Sequence, residues 1–169
     1  MQRVNTLYMV AWCGFTVYGR AVRWMTYQVL FWLLAACAAR AESGRILKVL
    51  PYHLDQKGRH ALRPSLYERD AYQAHLRKHP ELCTALRFDV HWKGFGLKDP
   101  TLRVEARGHS KGQPQQTTVE GKATKGWLEN WTSLTLAGDA YRNLGELTAW
   151  RVTLWSEGKQ VAEETSFLW

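Results

Sequence analysis

The sequence predicts a mainly β protein: one antiparallel β-sandwich with a flanking N-terminal helix, behind a hydrophobic leader. Three observations predict it. First, residues 86–168 contain successive runs in which apolar and polar side chains alternate, the period of strands with one buried face. Second, Gly, Asp and Asn clusters separate these runs, with no helical pattern between them, which implies antiparallel pairing. Third, 46% of residues are apolar and 22% charged, the balance of a chain with a packed core.

The elements follow in order. Ile46–Leu50 reads as a first strand stopped by Pro51, and Asp55 and Gly58 mark a turn in the segment 51–64. Ser65-Leu66-Tyr67-Glu68 fits a capping box that opens a helix over about 66–78, closed by Pro80. Leu66, Leu76 and Tyr72 (or Tyr67) are expected to form its buried stripe, with Arg69, Asp70, Gln73 and Arg77 on the wet face. In residues 87–93, Phe88, Val90 and Trp92 face inward; Leu102, Val104 and Ala106 do so in the next strand. Residues 117–123 are mostly polar and suit an edge strand. In residues 131–137, Leu134 and Leu136 point inward. The chain closes with a hairpin: Trp150, Val152 and Leu154 face in, Ser156-Glu157-Gly158-Lys159 turns, and the return strand runs over about 160–168. Trp92 and Trp150 are the expected anchors of the core.

Residues 1–41 form the leader. An apolar run over 24–39 follows Arg20 and Arg23 and ends at Ala39-Arg40-Ala41, a small-x-small site before Glu42. The run is shorter than the ~20 residues of a comfortable membrane span, so the expectation is a cleaved signal peptide, with a retained anchor as the other outcome. Leu34-Ala35-Ala36-Cys37 also has the form of a lipobox, which would lipidate Cys37. A chance cysteine in an Ala/Leu-rich run accounts for it equally well. A second apolar stretch at residues 7–19 leaves the start open among Met1, Met9 and Met25, although Met25 would leave no basic n-region.

The net charge is +8, and half of it lies in the leader, which has four Arg and no acidic residue. Residues 42–169 mix 19 basic with 15 acidic side chains, a solvated surface and no nucleic-acid footprint. Of Cys13, Cys37 and Cys83, only Cys83 lies beyond the leader, so a domain of residues 42–169 has no internal disulfide.

Several segments resemble known proteins. Leu144-x5-Trp150-x-Val152-x-Leu154 resembles the tyrosine-corner region of fibronectin type III domains. Residues 88–92, followed by 102–107, resemble their Trp-bearing second strand and third strand. At the corner Trp150 replaces Tyr and Glu146 replaces the usual proline, so the hydroxyl bond of that corner is missing. The likeness implies an Ig-like sandwich. Residues 45–51, 64–73 and 166–169 together resemble a group of short exported bacterial proteins without an assigned function, which implies a stand-alone domain and no activity.

Chemistry is sparse. G-x-S-x-G, H-E-x-x-H, P-loop and dinucleotide-binding patterns are all missing. His75, His79 and Cys83 stand four apart, a spacing that lets imidazoles meet a metal on a helix, but Pro80 interrupts it and a fourth ligand is lacking. No metal or cofactor is therefore expected. Asp89 and His91 share a strand face on which Glu105 is expected as a neighbour; without a nucleophile in view this reads as a charge ladder. Trp127, Trp131 and Trp155 are the candidate binding residues, with Trp169 also outward. The expected function is non-catalytic: a structural or protein-binding part of the cell envelope, exported to the periplasm or beyond. A carbohydrate-binding module using exposed indoles is the alternative, and a small hydrolase or metal enzyme ranks last. The expected partner is a protein or a glycan and not nucleic acid. Contact with membrane would come only through the leader or a lipidated Cys37.

Overall fold

The computed structural model describes residues 42–126 and 129–169. The expected leader, with Cys37 and the candidate cleavage site, and Trp127 lie outside the described residues. Among the described residues no helix is long and apolar enough to cross a membrane.

Among the described residues, seven strands make two antiparallel sheets. The order along the chain is β1 (Ser43–Asp55), α1 (Leu66–Lys78), a 3-10 turn (Pro80–Leu82), β2 (Cys83–Phe95), β3 (Thr101–Ser110), β4 (Gln113–Lys122), β5 (Asn130–Ala137), α2 (Gly138–Leu144), β6 (Glu146–Ser156) and β7 (Lys159–Thr165). One sheet is ordered β1-β2-β5 and the other β4-β3-β6-β7. The chain crosses between layers from β2 to β3, from β4 to β5 and from β5 to β6; the other connections stay within a sheet.

Alternation places the core where the pattern puts it. Leu86, Phe88, Val90 and Trp92 of β2 meet Leu102, Val104 and Ala106 of β3 and Val152 and Leu154 of β6, all at 2% exposure or less. Leu134 and Leu136 of β5 complete the filling. The layers approach so closely at Gly121 that a Cβ there would lie 2.5 Å from a methyl of Leu134. Trp92 is fully enclosed, and its indole N–H donates to Thr132 Oγ1 at 3.1 Å, so the polar atom of the largest core side chain is satisfied. Trp150 is only half-buried and packs against the rim of the core, next to the register shift of the β3–β6 ladder between Arg107 and Gly108. Its backbone N–H instead donates to Ser166 Oγ and its carbonyl accepts from Ser166 N, both at 2.9 Å.

Four local expectations differ. Pro51 does not end β1, which runs on to Asp55 with Pro51 opposite Phe88. β1 is an edge strand, and an edge tolerates a residue without an N–H. No capping box forms at Ser65: the Ser65 side chain makes no cap bond, and Glu68 accepts instead from Arg63 Nη1 at 3.2 Å. The buried stripe of α1 is rotated, with Leu66 and Tyr67 exposed and Gln73 and Leu76 buried. A short helix, α2, stands between β5 and β6, where the separating Gly, Asp and Asn residues carry no helical pattern. The final hairpin has a two-residue turn, Glu157-Gly158, with φ of 47° and 79°, the left-handed pair that matches strand twist.

Gln73 explains the rotation of α1. Its Oε1 accepts from His53 N at 2.9 Å, and its Nε2 donates to His53 O at 2.9 Å and His60 O at 2.8 Å. The amide thus takes the place of a neighbouring strand on the edge of β1. Asp55 anchors the loop that leads to α1. Its carboxylate accepts from the backbone N–H of Lys57 and Arg59, from Arg59 Nε and from Tyr72 Oη, at 2.8–2.9 Å. Burial alone would raise this carboxyl, but the bonds from Arg59, Tyr72 and Lys57 outweigh it and hold it well below the usual carboxylate range.

Candidate functional site

Three kinds of surface feature carry the binding-type side chains: an open strand edge, aromatic faces on the two sheets and a cleft at one end of the sandwich.

The edge is β5. Among the described residues it pairs only with β2, in unbroken register from Ala85 opposite Ala137 to Trp92 opposite Asn130. Residues 130–137, NWTSLTLA, contain no charge, no proline and no bulge. The other three edges each carry the devices that discourage strand addition. β1 has Pro51, a register shift after Ile46 and the Gln73 amide. β4 has Pro114, Glu120 and Lys122. β7 has Lys159, Glu163, Glu164 and a register shift against β6. Among the described residues, the adjoining segment reaches β5 only through side chains: Thr124 N donates to Thr132 Oγ1 and Gly126 N to Asn130 Oδ1, each at 2.9 Å.

The indoles do not share one platform. Trp131 stands beside the β5 edge on the outer face of the three-stranded sheet, 40% exposed. It stacks on His91 with centroids 4.6 Å apart and planes 9° apart, and its N–H donates to Glu129 at 3.1 Å. Trp155 lies on the outer face of the other sheet, where the Arg103 guanidinium sits 4.9 Å from its centroid. Trp169 lies on that face too, under Arg107 at 3.7 Å and Arg151 at 4.9 Å. These arginines also bind Glu120, Gln116 and Glu105, so the four-stranded face is a self-paired ladder of charge and ring.

Asp89 and His91 do not meet Glu105. The carboxylate of Asp89 is taken by Arg87 Nη2 and Ser133 Oγ, both at 2.6 Å, and Glu105 belongs to the opposite sheet, bound to Arg151. The sequence pattern put these strands side by side, whereas the chain crosses layers between them.

The cleft, about 520 Å³, opens where α1, the 3-10 turn, α2 and the start of β6 converge. Leu76, Pro80 and Leu147 form apolar walls; His53, Arg77, Cys83, Tyr141, Arg142 and Glu146 supply the polar groups. His75, His79 and Cys83 sit near this end without converging. The two imidazoles lie tilted at 42° with centroids 4.5 Å apart, His79 Nδ1 lies 3.1 Å from Glu81, and Cys83 Sγ turns toward the carbonyls of Leu76 and His79 at 3.4 and 3.9 Å. Among the described residues, no group of three or more His, Cys, Asp or Glu is placed to hold a metal. Burial raises the Cys83 thiol, against a lowering by its bond with Tyr141, and burial together with Cys83 pushes Tyr141 up to about 12. Both groups therefore stay protonated near neutral pH, the reverse of an activated thiolate. Burial and the nearby charge of Arg77 lower His53, whose Nδ1 is buried without a partner. Sequence reasoning missed this cleft because its lining comes from three stretches far apart in the chain, at 53, 76–83 and 141–147, and it missed the β5 edge because only the sheet order distinguishes an edge from a centre.

No family model matches the chain, and no curated protein matches it. A solved structure from Akkermansia muciniphila is similar at a TM-score of 0.46 and 12% identity, over 76% of this chain and 72% of that one.

Proposed function

We propose that this chain is an exported, non-catalytic sandwich domain of the bacterial cell envelope that binds protein by accepting an extended segment on β5. The observation that carries the reading is the β5 edge: eight residues of flat, uncharged strand, beside an exposed indole, in a molecule whose other edges are all guarded. An added strand gains backbone hydrogen bonds along β5, and its alternate side chains meet Trp131 on the outer face. The division of seven antiparallel strands into three and four, with crossovers between layers, supports the Ig-like, fibronectin type III-like assignment. Sugar binding would favour a shared aromatic platform. The separation of Trp131 from Trp155 and Trp169, and the arginines lying over the latter two, support the protein reading instead.

The test is binding of the full chain to an array of extended peptides with alternating apolar and polar residues. Wild type binds a subset. The double variant Ser133→Lys with Thr135→Lys, at two exposed positions of β5, loses about tenfold or more in affinity while its melting temperature stays within a few degrees. Failure of wild type to bind any peptide, or equal binding by both proteins, overturns the reading.

A further inference from the structure

We infer that the cleft between α1, α2 and the start of β6 is a binding site for a small organic monoanion with an apolar body, such as an aryl- or alkyl-carboxylate. Its volume, about 520 Å³, is that of a small-ligand pocket. Its walls are apolar at Leu76, Pro80 and Leu147, with the phenol of Tyr141 among them. The charges decide the sign of the ligand. Arg142 is already paired with Asp139. Arg77 makes no ion pair with any described residue, and the imidazole beside it, His53, is held neutral by burial and by Arg77 itself. Arg77 is therefore a positive charge without a partner at the mouth of an apolar recess. The opposing charge, Glu146, is exposed at the first position of β6 and likewise makes no ion pair among the described residues. A carboxylate at Arg77 with its body against Leu76, Tyr141 and Leu147 satisfies the guanidinium and covers the apolar wall.

Cys83 lines the same cleft and provides a local reporter. The experiment measures the rate of iodoacetamide alkylation at Cys83 in the full chain, mapped by peptide mass spectrometry, with 4-phenylbutyrate or 4-phenylbutylamine added. The carboxylate is expected to slow alkylation at Cys83, and the amine at the same concentration to leave it unchanged. Arg77→Gln should raise the half-protecting concentration of carboxylate about tenfold, and Glu146→Gln should lower it. Protection is read for each protein against its own alkylation rate without ligand, because removing a charge at the cleft wall also shifts the thiolate fraction of Cys83. Absence of protection by the carboxylate up to about 10 mM, a range that covers even weak pocket binding, overturns the assignment. So does equal protection by the amine, or protection unaffected by Arg77→Gln.

Discussion

Trp92 is the side chain on which the interior depends most. It is fully enclosed, and Thr132 Oγ1 accepts both its indole N–H and the backbone N–H of Thr124, so one hydroxyl joins the core to the β4–β5 connection. Trp92→Ala should lower unfolding free energy by about 3–5 kcal/mol, read from the urea midpoint, since a cavity of that size collapses only in part. Asp55 makes the clearest prediction about pH. Its carboxyl is lowered in the folded state, so its bonds contribute in full above the unfolded value, about 3.9, and the contribution is lost as pH falls below it. Asp55→Asn should therefore cost about 1–3 kcal/mol at pH 7. The gap between wild type and variant in thermal or urea unfolding should narrow as pH drops below about 4; a gap independent of pH would refute the role given to this carboxylate. The importance of Trp92 is readable from alternation alone, while that of Asp55 is not, because Tyr72 and the amides of Lys57 and Arg59 reach it only after the loop has folded.

The strands and α1 differ in how far the sequence specifies them. β2, β3, β5 and β6 announce their inward faces because each is half-wet, and period-two alternation is the direct record of that. α1 announces its length but not its orientation. A helix with two exposed apolar residues, Leu66 and Tyr67, and a buried amide, Gln73, inverts the usual hydrophobic stripe. What fixes it is a polar contact with β1, invisible to a hydrophobicity argument. Gln73→Ala should leave His53 N–H and His60 O without these partners and free the helix from the sheet. Limited proteolysis within residues 56–79 should quicken severalfold while amide exchange in β2 and β6 stays as slow as in wild type. Unaltered cleavage there would show that Leu76 alone secures α1. The candidate cleft falls in the same gap, since its floor is laid by α1 and its far wall by α2, an element that composition did not suggest.

Both layers share one seam. β1 pairs with β2 along most of its length, yet at its start a Cβ on Gly44 would lie 2.9 Å from Leu154 and 3.0 Å from Val161, side chains of β6 and β7 in the other sheet. A register shift after Ile46 lets one continuous strand serve both neighbours. This stitch has a mechanical meaning. Tension applied at Ser43 loads the β1–β2 ladder in shear, so its bonds must fail together, and it also disturbs the Gly44 contact with the opposite layer. Stretching single molecules of residues 42–169 from their two ends should accordingly give one abrupt rip, with no earlier step from a peeling strand.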